Sequence, residues 1–199
     1  MGTDIHAFVE VDYATDGEPF GELAEIRCFN LGEFFLWHNY DLFDALGNGR
    51  SRHGPPESVE RWALVPPRGL PPNASRGVIA RYSHPIADPK EGPGRYCESH
   101  DAPTLPPVTQ EVAARWVAQG WSHYYTPPTP RFPGEARVSH PDWRNPSWLL
   151  LSEVYGALTH FGLEVEQMNA EVEAILGVME AFERRLGAGK TRLVFWFDN

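Results

Sequence analysis

The sequence predicts one α+β domain over residues 1–199, with a small, mainly antiparallel sheet packed by one long C-terminal helix and several short helices. Three observations predict this class. Polar and apolar side chains alternate near the start of the chain, as they do in half-buried strands, and residues 191–197 carry the β-branched and aromatic side chains of a buried strand. Apolar side chains recur every three or four positions over residues 164–186, as in an amphipathic helix. The 18 glycines and 19 prolines indicate long loops, rich in proline and aromatic residues, between these elements.

The first strand is predicted over residues 3–13, where alternate side chains are apolar. A turn around Gly17 precedes a second strand over residues 22–29, which should return antiparallel. Capping residues and helical spacing predict short helices over residues 39–46, 73–82 and 109–119. Residues 83–107 are predicted to be mostly irregular, and residues 121–146 to form a long structured loop.

The C-terminal part is predicted to contain two helices and a strand. One helix begins between Pro146 and Ser152 and ends at Gly162, before the long helix over residues 164–186. The apolar stripe of the long helix either packs on the sheet or forms the seam of a homodimer. Residues 191–197 are apolar on both faces, which predicts a central strand beside the first one.

The net charge of −10 argues against binding to duplex nucleic acid, which is recognised by basic surfaces. The distribution is uneven, because residues 1–49 carry ten acids and a single base, whereas residues 50–95 carry eight bases and four acids. Arginine suits bidentate contacts with phosphate. Arginines outnumber lysines fifteen to two in the whole chain, so codon bias is an alternative explanation of the basic segment.

The composition also indicates where the protein acts. Cys28 and Cys97 are too few for a disulfide framework or a cysteine-rich zinc site, and no hydrophobic leader precedes the first strand. The longest apolar runs are too short to span a bilayer. We expect a cytoplasmic protein with no membrane partner.

Asp4 and His6 form an Asp-x-His pair, whose side chains point to the same side of a strand and can converge on one metal ion. Asp198 joins them if the first and last strands pair in the antiparallel sense. The alternative is a hydrogen-bonded pair that anchors the amino terminus. No cofactor is expected. A divalent metal bound by these residues is the alternative.

Arg68 lies between prolines and a glycine in a stiff turn that would present its side chain to an anion. The alternative is an ion pair with one of the acids of residues 1–49. Aromatic residues in the predicted loop supply faces on which purine rings stack for roughly 1–3 kcal/mol each. The candidate ligand-binding residues are Asn39, Tyr40, Arg50, Arg68, Trp121, His123, Tyr124, Tyr125 and His140.

Five segments in one order resemble a family of small proteins common in bacteriophages and prophages. They are Met-Gly-Thr-Asp-Ile-His at residues 1–6, Asn-Tyr-Asp-Leu-Phe at 39–43, Pro-Arg-Gly-Leu-Pro at 67–71, Pro-Ser-Trp-Leu at 146–149 and Val-Phe-Trp-Phe-Asp-Asn at 194–199. Members typically begin with a Met-Gly-Cys-Asp-Ile-His-like segment and carry a His-Ser-x-Ser-Trp-Leu-Thr-Leu segment. Here Leu150 stands in place of that threonine, and His140 lies further upstream. The resemblance implies a phage origin, with the host cytoplasm as location, and no chemistry.

These observations favour a protein that captures a small phosphorylated, nucleotide-like molecule without turning it over. A phage protein could use such capture to sequester a nucleotide signal of host immunity. One alternative is a metal-dependent phosphoesterase that uses Asp4, His6 and Asp198. The other is a module that binds a host protein through the long helix or the proline-rich loop.

Overall fold

The computed structural model of the protein describes residues 4–22, 24–29, 34–36, 40–47, 64–87, 105–125 and 136–198. Helices and mainly antiparallel sheets occur together in these residues, which confirms the α+β class. In chain order the elements are β1 (Ile5–Asp12), β2 (Ile26–Cys28), β3 (Phe34–Leu36), α1 (Tyr40–Gly47), α2 (Arg76–Tyr82), β4 (Ser83–Ala87), β5 (Val108–Thr109), α3 (Gln110–Ala118), β6 (Tyr124–Tyr125), β7 (Arg137–Ser139), β8 (Arg144–Leu150), α4 (Leu151–His160), α5 (Ala170–Leu186) and β9 (Thr191–Phe197).

The chain divides into two compact units. The terminal unit contains Met1–Pro71 and Arg144–Asn199, and the central unit contains Pro72–Trp143. The expectation of a single domain therefore stays a prediction. None of the helices in the described part of the chain has the length and apolar character needed to cross a membrane.

The terminal unit is built on a sheet with the strand order β2-β1-β9-β8, in which β3 also pairs with β1. β1 and β9 are antiparallel, from Ile5 opposite Phe197 to Val11 opposite Thr191. β9 is buried along its whole length, which confirms the predicted central strand beside the first one. The apolar face of β1 packs with β9 and three helices, and the largest fully buried members of this core include Ile5, Leu42, Leu46, Leu149, Leu158, Ile175 and Phe195.

The long C-terminal helix is shorter than predicted. Residues 165–167 form a separate 3₁₀ turn and Met168 is extended, so that α5 begins only at Ala170. The side chain of Asn169 accepts the backbone N–H of Val172 at 3.1 Å and thereby caps the new start. Val172 and Met179 lie in the core of the terminal unit. The homodimer through residues 164–186 stays a prediction, and these apolar side chains are already buried within the chain.

The helix predicted to begin between Pro146 and Ser152 begins at Leu151, and residues 144–150 before it form β8, which the sequence did not predict. The pairing of β8 with β9 shifts register between Arg144 and Ser147, where Asn145 has a left-handed φ of 45°. A bulge of this kind accommodates a proline in an edge strand.

The central unit contains a second sheet with the strand order β5-β4-β7-β6. The prediction of irregular chain over residues 83–107 is therefore wrong for the part that forms β4, and the prediction of a loop over residues 121–146 is wrong for the parts that form β6, β7 and the start of β8. The strands β4 to β7 have two to five residues, too few to show the period of a strand in the sequence. Ser75 and Thr109 cap α2 and α3 through their side-chain oxygens.

Candidate functional site

The sheet of the central unit places a histidine and an aromatic ring on one face. Val138 of β7 lies opposite both His84 of β4 and Tyr124 of β6. Directly opposed residues of antiparallel strands project to the same side of the sheet, with Cβ atoms about 4.5–5.5 Å apart. His84, Val138 and Tyr124 therefore form a row across three strands. The side-chain amide of Gln110, the first residue of α3, donates to the Tyr124 hydroxyl at 3.4 Å.

Further rings pack against His84. Its ring is stacked on that of His140, with centroids 5.1 Å apart, and His140 in turn lies 4.4 Å from the ring of Trp143. Trp116 of α3 contacts His84 from another direction, with centroids 5.4 Å apart and planes inclined by 58°. We call the set His84, His140, Trp116, Trp143 and Tyr124 the histidine–aromatic cluster.

His84 is held as a neutral ring with a defined tautomer. Its Nδ1 lies 2.7 Å from the carbonyl oxygen of Pro106, and a carbonyl only accepts, so Nδ1 carries the proton. Burial lowers the pKa of His84; the Pro106 carbonyl opposes this shift, and the positive charge of Arg137 adds to it. The lowered pKa favours the neutral ring, in which Nε2 presents a lone pair.

The two most exposed aromatic side chains of the central unit's described residues adjoin this cluster in the chain. Trp121 is 49% exposed and Tyr124 is 48% exposed. Trp121 follows α3, and its backbone N–H donates to the carbonyl of Trp116 at 3.1 Å. Both residues are candidates from the sequence, and both are open to a ligand.

His123 and Tyr125 project to the opposite face of the same sheet. The ring of Tyr82 lies 6.1 Å from that of His123 and 6.3 Å from that of Tyr125. Nδ1 of His123 lies 3.2 Å from the Ser139 hydroxyl, which also accepts the His123 backbone N–H at 3.1 Å. The central unit thus contains five predicted ligand residues. Tyr124 and His140 lie on the first face of the sheet, His123 and Tyr125 lie on the second, and Trp121 follows α3 outside the strands.

Arg68 belongs to the terminal unit and is bound to an acid that the sequence did not single out. Its guanidinium donates to both carboxylate oxygens of Glu153, at 2.9 and 2.6 Å, and lies over the ring of Trp148. Glu153 also accepts the backbone N–H of Leu150 at the start of α4. Burial alone would raise the pKa of Glu153, but the hydrogen bonds from Arg68 and Leu150 lower it. Anion binding by Arg68 stays a prediction and requires this pair to open.

The structure says less about the other candidate ligand-binding residues. Asn39 and Arg50 lie outside the described residues, and Tyr40 is the first residue of α1. Of the eight bases of residues 50–95, the described ones are Arg68, Arg76 and Arg81.

The antiparallel pairing of β1 with β9 brings the three candidate metal ligands, Asp4, His6 and Asp198, close together. Asp198 accepts the backbone N–H of Asp4 at 2.7 Å through one carboxylate oxygen. Its other oxygen lies 3.3 Å from Nε2 of His6. Among the residues that the structure describes, no group of three His, Cys, Asp or Glu side chains is arranged to hold a metal ion. What the geometry shows directly is an anchor that joins the start of β1 to the end of β9.

His84 and Trp116 were not among the sequence candidates. Trp116 resembles an ordinary inward residue of an amphipathic helix, and Pro85 next to His84 suggests irregular chain. A weak sequence signal for β4 does exist, because Ser83 to Ala87 follows a capped helix and contains two apolar positions. Only the pairing of β4 with β7 shows the face of the sheet to which His84 projects.

No family model matches the chain, and neither a curated protein nor a solved structure is similar to it. The resemblance to the phage family stays a prediction.

Proposed function

We propose that the protein binds a small phosphorylated ligand with a planar ring, such as a nucleotide, through the histidine–aromatic cluster of the central unit and the adjoining Trp121. The observation that carries this proposal is the exposure of Trp121 and Tyr124 beside a packed group of rings. A planar ligand stacks on such faces whichever base it carries. Tyrosine and tryptophan are enriched at binding surfaces, because each combines an apolar face with a polar group, and the exposed pair therefore supports the proposal.

The central unit is less acidic than the chain as a whole. Over residues 72–143, seven lysines and arginines match seven acids, whereas the whole chain has a net charge of −10. The described part of the unit contains four arginines, namely Arg76, Arg81, Arg115 and Arg137. These guanidinium groups, and not a net positive charge of the unit, would supply the contacts to a phosphate.

Capture without turnover fits the chemistry of the cluster. Its rings provide stacking surfaces and hydrogen-bond groups. The nearest hydroxyl with a histidine partner, that of Ser139, lies on the opposite face and is buried. If the chain is a phage protein, sequestration of a nucleotide signal of the host is the use that we propose for it.

Substitution of the exposed rings is expected to weaken ligand binding. Trp121→Ala and Tyr124→Ala should each raise the Kd about 5- to 150-fold, because each removes one stacking face. Isothermal titration calorimetry of the full chain with adenosine monophosphate, other nucleotides and cyclic dinucleotides measures the effect. The matched control is Tyr13→Ala, which removes an exposed aromatic ring from the terminal unit and should leave the Kd unchanged.

Binding that is equal in all three variants, or no binding of any panel member to the wild-type chain, would contradict the proposal.

The second candidate function is the metal-dependent phosphoesterase. It is favoured by one observation, the approach of Asp198 to Asp4 and His6. This hypothesis predicts a stoichiometric divalent metal in the purified protein that His6→Ala loses, together with hydrolysis of a phosphodiester. Elemental analysis of both proteins decides it, since metal content that is unaffected by His6→Ala excludes these ligands.

A further inference from the structure

One nitrogen of the histidine–aromatic cluster has no partner in the described structure. His84 is only 5% exposed, and its Nε2 accepts no hydrogen bond from any residue within the described ranges. Since Nδ1 donates to Pro106, Nε2 is a bare acceptor. Buried side-chain nitrogens and oxygens almost always have a partner, so an acceptor left in this state calls for an explanation.

The surroundings of Nε2 define what can pair with it. His140 is stacked on the His84 ring and Trp116 is inclined to it by 58°. The lone pair of Nε2 lies in the plane of the imidazole, so a partner approaches at the edge of the ring. A lone pair repels phosphate oxygens, which excludes the anionic part of a ligand. The positive charge of Arg137, which already disfavours a proton on His84, also disfavours a cationic group. A neutral donor satisfies all three conditions, and on the ring of a nucleobase that donor is an N–H group.

We propose that Nε2 of His84 accepts a hydrogen bond from an N–H group at the edge of the ligand's ring, so that the site selects an amino-bearing nucleobase. This inference rests on the proposed function and adds the chemical class of the base. The proposal requires that the ligand ring insert beside Trp116 and His140, so that its edge donor reaches Nε2. The exposed rings supply stacking that is indifferent to the base, and His84 supplies the discrimination.

The test compares adenosine with purine riboside, which differs from it only by lacking the exocyclic amine. Calorimetric titration of the full-length wild-type chain should give a Kd for adenosine about tenfold lower than that for purine riboside, because the analogue leaves Nε2 without a donor. In His84→Phe, which keeps a planar ring and removes the acceptor, the two nucleosides should bind equally. Tyr13→Ala should keep the wild-type preference.

The outcomes separate the two proposals. If the wild-type chain binds both nucleosides with the same Kd, the role of His84 is overturned while ligand binding by the central unit stands. If the preference persists in His84→Phe, the amine is recognised elsewhere and the inference is likewise overturned. If neither nucleoside binds the wild-type chain, the same comparison with the two 5′-monophosphates decides the role of His84. If no nucleotide binds either, the proposed function itself fails. The wild-type comparison holds even if His84→Phe does not fold.

Discussion

Replacement of Arg192 by methionine is expected to lower the free energy of unfolding by about 3–5 kcal/mol, because it removes one partner of a buried ion pair. Arg192 lies opposite Glu10 in the β1–β9 ladder, and the two side chains are 1% and 0% exposed. Nε and Nη2 of the guanidinium approach the same carboxylate oxygen at 2.7 and 2.6 Å. The guanidinium also lies 4.2 Å from the centre of the Phe20 ring. The substitution leaves the buried Glu10 carboxylate without this cation.

Chemical denaturation of the full chain measures the effect. Arg185→Met is the matched control, since Arg185 is exposed in the last turn of α5, and the change there should stay within about 0.5 kcal/mol. The double variant Glu10→Leu/Arg192→Met removes both charges and should recover most of the loss. A single variant as stable as the wild type would show that the pair contributes nothing to the sheet.

The second large effect is expected at Asp12, whose carboxylate organises the chain between β1 and β2. It accepts the backbone N–H groups of Ala14 and Phe20 at 3.0 Å each and that of Glu25 at 3.1 Å. It also accepts the buried ammonium of Lys190 at 3.0 Å. Asp12→Ala removes all four contacts and should cost about 3–5 kcal/mol.

The pH dependence of this contribution has a definite sign. Burial raises the pKa of Asp12, but the hydrogen bonds from Phe20, Ala14 and Lys190 outweigh it and lower the pKa below its usual 3.8. A carboxylate with a lowered pKa stabilises the fold above the unfolded pKa and loses that contribution as the pH falls through the folded pKa. Asp12→Asn should therefore flatten the acid limb of the stability curve, whereas Asp16→Ala, at an exposed site nearby, should keep the wild-type curve. An unchanged acid limb in Asp12→Asn would show that protonation of Asp12 does not cause the loss of stability in acid.

Strong periodicity made the terminal unit largely predictable. In β1 polar and apolar side chains alternate over eight residues, and in β9 apolar side chains occupy both faces over seven residues. Antiparallel pairing of the two strands places oppositely charged side chains from the start and the end of the sequence side by side. The apolar stripe of residues 164–186 also indicates a helix correctly but places its start too early. Val165 and Met168 keep the helical spacing and pack against the core from a 3₁₀ turn and an extended residue, so spacing alone could not show the break.

The central unit could not be derived in the same way. β6 consists of Tyr124 and Tyr125 alone and owes its existence to pairing with β7, twelve residues further along the chain. Long-range pairing of short strands leaves little trace in local composition. The sequence therefore identified the aromatic residues as a class, while their division between two faces, and the part played by His84, required the strand register.

Burial changes the interpretation of the polar face of β1. A row of polar side chains on a strand suggests solvent or a site, yet His6, Glu10 and Asp12 are all buried and bonded to β9 or the residues that flank it. These three pairs join the two ends of the chain in one sheet. The functional hypothesis accordingly moves to the central unit.

Mapping of backbone amide shifts in the full chain during titration with adenosine monophosphate tests ligand binding by the central unit most directly. We expect saturable shifts concentrated in residues 116–125 and 136–143, with the amides of residues 5–12 and 191–197 unmoved. No shifts at saturating ligand, or shifts confined to β1 and β9, would contradict it.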